Sequence, residues 1–258
     1  MDRSRDMENL LMVVLAKSYK PGGRCIAGKL VEYTDDKKVK IGNWVRPVAN
    51  DDTGKGALTE EMYSYEDGEE TKILDIVEVP VIKGFPIDGQ PENYAIDEAN
   101  KWKKIGSLSA ASIPRISESV ESIWNDPQAS SNIVTASYDQ QGFISQSLCL
   151  IKPTNLLITL SNDYNEFEHV HKKKISASFD YLGVSYENIS ITCPSTRRIL
   201  TNQYPDEGQA SRDMPLRKGD NYVLCMSLSP RFGGENNHYK LVATIFDYDG
   251  YLQRKYAA

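Results

Sequence analysis

Trp44 and Arg46 stand two residues apart in Asn43-Trp44-Val45-Arg46-Pro47-Val48. On a β-strand that spacing puts an indole and a guanidinium on one face. There the ring can stack an unpaired base and the cation can contact its phosphate. Arg24 and Lys29 lie on the preceding apolar segment, Arg24 to Tyr33, and the two segments read as one hairpin with Lys29 and Tyr33 facing the same surface. A second set comes late in the chain: Arg231 in the glycine-containing stretch Ser229 to Asn237, then Tyr239 and Lys240 opening the next strand. Lys152, Lys172 to Lys174 and Arg197-Arg198 are further positive points, although a charge run is usually a solvated face. The competing reading places Trp44 in a core, because tryptophan is largely buried on average, and pairs Arg46 with an acid such as Asp75.

Other chemistry is thinly represented. The chain contains no Gly-x-Ser-x-Gly elbow, no Gly-x-x-x-x-Gly-Lys-Ser/Thr loop and no Gly-x-Gly-x-x-Gly fingerprint. Without a convergent nucleophile, base and orienting group, no enzyme activity and no cofactor are expected. His169 and His171 would share one side of a strand, a start for a metal site. The adjacent Lys172 to Lys174 would repel a cation, so no metal is expected. Asp51-Asp52, Glu60-Glu61 and Glu69-Glu70 read as solvated acid pairs. Net charge is −6, which counts against a dedicated duplex-DNA binder while leaving room for a local basic groove. Cys25, Cys149, Cys193 and Cys225 are widely spaced and read as reduced core residues of a cytoplasmic protein. No signal peptide and no stretch of transmembrane length is visible, so no membrane partner is expected.

The elements that must carry these residues are mostly short strands. Leu10 to Ala16 is an apolar run suited to a buried strand, followed by turn chemistry at Lys20-Pro21-Gly22-Gly23. Strands are predicted at Arg24 to Tyr33, Gly42 to Val48 and Ile73 to Val81, with a charged hairpin tip at Asp35 to Lys38. Thr59 caps one or two helical turns. Helices are predicted over Asp97 to Ile105, with Trp102 facing inward, and over Ser117 to Trp124, with Val120, Ile123 and Trp124 on one side. The pattern then returns to strands: Ile144 to Ile151, Leu156 to Leu160, Ile175 to Phe179, Tyr186 to Ile191, Tyr222 to Leu228 and Tyr239 to Phe246. A hairpin is predicted at Tyr181 to Val184 and a short helix at Arg197 to Thr201. Strands, a few helices, then strands, without βαβ alternation, point to small barrels rather than a doubly wound sheet.

Several blocks, in order, resemble one family. Cys25-Ile26-Ala27-Gly28-Lys29-Leu30 and Trp44-Val45-Arg46-Pro47-Val48 are similar to the opening of the prokaryotic dual OB-fold domain proteins. Leu74-Asp75-Ile76-Val77-Glu78-Val79-Pro80, Gln90-Pro91-Glu92-Asn93-Tyr94, Leu150-Ile151-Lys152-Pro153 and Tyr239-Lys240-Leu241-Val242-Ala243 resemble later blocks. The resemblance implies a mostly β fold with minor α: two small OB-like β-barrels joined by a short helical segment. The expected boundaries are a first barrel with a wrapping loop at 9–106, a helical connector at 107–130 and a second barrel at 131–250. It also implies a place in prokaryotic conflict or mobile-element neighbourhoods, with nucleic acid as ligand and a protein partner encoded nearby. Binding residues are then expected at Arg24, Lys29, Trp44 and Arg46 in the first barrel, and at Arg231, Tyr239 and Lys240 in the second. The alternatives are a protein–protein adaptor and a sensor of a nucleotide-like small ligand between the barrels.

Overall fold

The first apolar run extends well beyond its hydrophobic centre. In the computed structural model, which describes residues 8–247 except 36–37, 51–55, 88, 167 and 215–221, β1 spans Glu8–Lys20. Met12 to Ala16 are all buried. The strand serves two neighbours at once: residues 8–13 pair with β4 (Asp75–Gly84), and residues 12–20 pair with β2 (Gly23–Tyr33). The shift between the two edges occurs at a bulge between Val14 and Ala16, which bends the strand as barrel closure requires. Gly28 lies opposite that bulge. A Cβ there would fall 1.9 Å from Val13 O, so only glycine lets the two backbones approach.

Three more strands complete the first half: β3 (Val39–Val48), β5 (Asn93–Ile96) and β6 (Lys103–Ser107). The order β1-β2-β3-β5-β4 returns to β1, with β3 and β5 parallel and the other contacts antiparallel, which is a closed OB barrel. β6 extends the sheet on β4. The helix predicted at Asp97 to Ile105 is absent. Asp97 caps one turn through Ala99 N–H and Asn100 N–H, and the chain then enters β6, with Trp102 buried as expected.

The connecting segment contains a 3-10 turn at Ala110–Ser112 and a single helical turn, α1 (Ile113–Ile116). Ser117 to Trp124 is not helical. Glu118 N–H donates to Leu150 O at 2.6 Å, and Tyr181 Oη donates to Val120 O. Backbone groups that a helix would satisfy internally are met by the second half, so the helical spacing of Val120, Ile123 and Trp124 loses to tertiary pairing.

The second sheet is built from β7 (Ile133–Val134), β8 (Leu148–Ile151), β9 (Thr154–Asn165), β10 (Val170–Tyr181), β11 (Val184–Ile191), β12 (Arg212–Met214), β13 (Tyr222–Leu228) and β14 (His238–Asp247). Helices α2 (Ala136–Gln140) and α3 (Pro194–Ile199) lie between strands. The path β9-β10-β11-β14-β13-β8 has β11 and β14 parallel, matching β3 and β5 of the first barrel. Here the first strand is broken: β8 pairs with β13, β9 pairs with β10, and Lys152-Pro153 joins the two segments. Pro153 has no N–H to offer a ladder, which accounts for the interruption. The β10–β11 turn has Leu182 and Gly183 both at positive φ (49° and 80°), the pattern of a two-residue hairpin. His169 and His171 do not form the expected pair on one strand face. His169 sits in the turn before β10 at φ 54°, and His171 directs Nδ1 toward Asn162 O. Among the described residues no helix is long and apolar enough to cross a membrane, and no three His, Cys, Asp or Glu side chains converge as metal ligands.

Candidate functional site: an arginine cleft beside a buried seam

Four of the seven residues expected to bind ligand are buried. Arg46, on β3, is 2 % exposed and points into the junction between the barrels. One of its terminal nitrogens donates to Ser147 Oγ at 2.6 Å and lies 3.1 Å from Glu92 Oε1; Ser227 Oγ is at 3.5 Å. Glu92 in turn accepts from Ser147 Oγ and from Ser147 N–H at 3.2 Å. Arg46 therefore pairs with an acid, as the core reading expects, but the partner is Glu92 and not Asp75. Asp75 is held by Tyr65 Oη and Lys104 Nζ, both at 2.7 Å. Burial beside the carboxylate of Asp75 pushes the Tyr65 phenol well above its usual range.

Lys29 and Trp44 face one another across β2 and β3, so the shared surface is real. That surface is covered by the connector. Glu118 accepts from Lys29 Nζ at 2.8 Å, from Trp44 Nε1 at 3.0 Å and from Leu150 N–H at 2.9 Å. The loop between β4 and β5 reaches across the same junction: Gln90 Nε2 donates to Leu228 O at 3.0 Å. At Gly89 (φ 69°) a Cβ would lie 2.5 Å from His238 Cε1, so glycine is required for the contact. OB barrels commonly bind ligands on the face of strands 2 and 3 and on the loops after strands 1 and 4. In the first barrel, the second half and the connector occupy that strand face and the loop after β4.

The second-barrel residues are equally committed. Arg231 donates to Asp139 Oδ2 on α2 at 2.6 Å, and His238 Nε2 lies 3.1 Å from the same oxygen. Tyr239 is half-buried, with its N–H on Ser229 Oγ and its ring edge-on to Phe232. Lys240 is buried, donating to Ser131 O at 2.9 Å above the Tyr186 ring. Burial pulls its ammonium down to about 8, with nearby Asp126 opposing. The lysine run 172–174 is also engaged: Lys172 with Glu168, Lys174 with Asp163, and Lys173 over Tyr204. Asp51-Asp52 lie outside the described residues.

Arg24 alone of the expected set faces an open site. It lies opposite Tyr19 across the β1–β2 hairpin, its guanidinium 4.4 Å from the Tyr19 ring centre, and Tyr19 is 51 % exposed. Tyr19 N–H donates to Thr192 O, bringing the start of α3 alongside. Arg197 on α3 reaches to 5.9 Å from the same ring and holds Ile191 O through Nε. Together with Arg198 these side chains line a cleft of about 810 Å³ between the barrels. Among the described residues, none of Arg24, Arg197 and Arg198 is within ion-pair distance of a carboxylate. Of the acids in the wall, Glu70 is taken by Lys17, which also donates to Thr71 O at 2.9 Å, and Glu69 pairs with Lys72. The hydrogen bond from Lys17 holds the Glu70 carboxyl below its usual range, helped by the charges of Arg24 and Arg198. Burial lowers the Lys17 ammonium despite that pairing.

Arg197 and Arg198 stood in the sequence as one short positive cluster among several. Tyr19 and Lys17 were hidden at the end of an apolar strand. The available signal was the tight turn at Pro21-Gly22, which forces Tyr19 and Arg24 to be cross-strand neighbours.

A family model described as a dual OB-containing domain matches residues 11–245. No curated protein and no solved structure shows a significant match to the chain.

Proposed function

The chain belongs to the dual OB-containing domain family, and from that premise we propose that it is a non-catalytic module that binds nucleic acid, single-stranded or structured, as an accessory part of a prokaryotic defence or conflict system. The observation that carries the proposal is the set of three arginines without carboxylate partners among the described residues, gathered beside an exposed tyrosine in the cleft. Guanidinium groups suit phosphate because of their planar fork of donors, and the ring beside them offers a surface for a base. The ligand site moves from the strand faces to the junction, since Lys29, Trp44, Arg46 and Lys240 are spent on holding the fold. The place in a defence or conflict system is supported by the family resemblance of the sequence blocks. Fluorescence anisotropy with labelled single strands and duplexes tests the binding. The expected result is salt-sensitive affinity with a shallow slope of roughly two to three phosphates. Absence of binding at about 50 mM salt would remove the reading.

A second reading is an adaptor subunit for a neighbour-encoded protein. Phe232, at the tip between β13 and β14, and Phe143 are 71 % and 57 % exposed. Large exposed aromatics suit a protein interface. Nuclease-resistant co-purification that is lost in Phe232→Ser favours this alternative.

A further inference from the structure

The size and charge of the cleft restrict what it can hold. Single-strand tracks on OB folds engage about 4–16 nucleotides per barrel along an extended groove. A site of about 810 Å³ instead lies within the range of small-ligand pockets, about 300–1,000 Å³. Its cations are concentrated, with Arg24 on the first barrel and Arg197 and Arg198 on the second. Glu69 and Glu70, on the loop before β4, also line it, paired with Lys72 and Lys17. Glu70 is the notable member: a carboxylate bound to Lys17 and within the field of both Arg24 and Arg198. It already supplies, from inside the protein, the negative charge that these cations attract.

We propose that the cleft binds one or two phosphorylated nucleotide units, with Arg24, Arg197 and Arg198 on the phosphate, and that Glu70 is a built-in competitor for that phosphate. This deepens the nucleic-acid reading and rests on it for the choice of phosphate ester. The same chemistry is offered by a free nucleotide or dinucleotide and by a short segment or end of a strand. Three guanidiniums converging from both barrels provide the forked donors that a phosphate or phosphodiester accepts. Tyr19, already stacked against Arg24, forms an apolar wall for the attached base or sugar. The repulsion between Glu70 and an incoming phosphate opposes binding, so weakening that charge tightens the complex.

The test uses the full chain, a labelled oligothymidylate of about 20 nucleotides, and 5′-phosphorylated dithymidylate, a length below the usual strand site, added unlabelled as competitor and also titrated directly by calorimetry. The dinucleotide is expected to displace the long strand. Arg198→Ala and the double change Arg197→Ala with Arg198→Ala are expected to weaken both ligands about tenfold or more. Glu70→Gln, whose amide oxygen can still accept from Lys17, is expected to tighten both by about three- to tenfold. A gain in affinity cannot come from misfolding, so this variant keeps the test meaningful if an arginine variant folds poorly. If the long strand binds but the dinucleotide fails to compete and Glu70→Gln changes nothing, the cleft proposal is overturned while nucleic-acid binding stands. If the dinucleotide binds and the long strand does not, the cleft proposal holds for a free nucleotide and strand binding falls. If neither binds at low salt, both fall together.

Discussion

Arginines occur at two places where the two barrels meet, and the two places use them differently. In the seam, Arg46 is sealed from water and faces Glu92, Ser147 and Ser227. In the cleft, Arg24, Arg197 and Arg198 stand beside Tyr19 without a carboxylate partner among the described residues. Composition does not separate these sites. The separation comes from which acids the chain delivers: Glu92 comes from the loop after β4, Glu118 from the connector, and both arrive at buried cations. The acids that reach the cleft, Glu70 and Glu69, are already paired with Lys17 and Lys72. A buried charge must be paired to be tolerated, whereas a solvated one need not be and so remains available to a ligand.

The largest expected effect lies in the seam. Arg46→Ala strands Glu92 and should cost about 3–5 kcal/mol in urea unfolding. A loss below about 1 kcal/mol would break the distinction between seam and cleft.

Lys240 sharpens the same contrast, because its ammonium is buried with a carbonyl and a ring for neighbours. Its folded value of about 8 lies below the ordinary 10.5. Between those values the unfolded chain holds more protons, so this group's contribution to stability rises with pH; below 8 its penalty is complete. Lys240→Met should therefore stabilise the protein at pH 7 by on the order of 2 kcal/mol. That advantage should shrink as pH rises from 8 to 10.5. Comparing variant with parent across pH removes the contribution of the buried thiols of Cys149 and Cys225, which burial pushes up in both proteins. A constant difference would contradict this account of Lys240.

Glu118→Ala should cost about 1–3 kcal/mol, since Lys29, Trp44 and the Leu150 N–H all lose their acceptor. The smallest effect is expected in the cleft. Arg198→Ala should leave the unfolding midpoint within about 0.5 kcal/mol of the parent while ligand affinity falls. If it destabilises the fold as Arg46→Ala does, the cleft is a second seam.

Much of the fold was legible because strand periodicity and turn residues are local signals. The runs at Arg24 to Tyr33, Tyr222 to Leu228 and Tyr239 to Phe246 appear in the structure nearly as read. The segments 97–105 and 117–124 read as helices and are not, because helical spacing of apolar residues is also satisfied when a non-helical segment is pinned by a distant strand, as Glu118 is by Leu150. The candidate residues were legible in type, but not in burial or partners. Trp44 and Lys29 do share a surface, but the segment that covers it lies 74 and 89 positions away.

The two barrels make the final distinction clear. By itself the sequence determined that the chain is mostly strand and that turns fall at Pro21-Gly22 and Leu182-Gly183. These follow from steric rules that act over a few residues. The tertiary structure decided which basic residues are free. Whether an arginine meets a carboxylate depends on how the two halves pack and on the path of the connector, and the energy of a charge changes several-fold with its burial and partners. Arg46, inside the family-like opening blocks, and Arg24, one residue before them, ended on opposite sides of that decision.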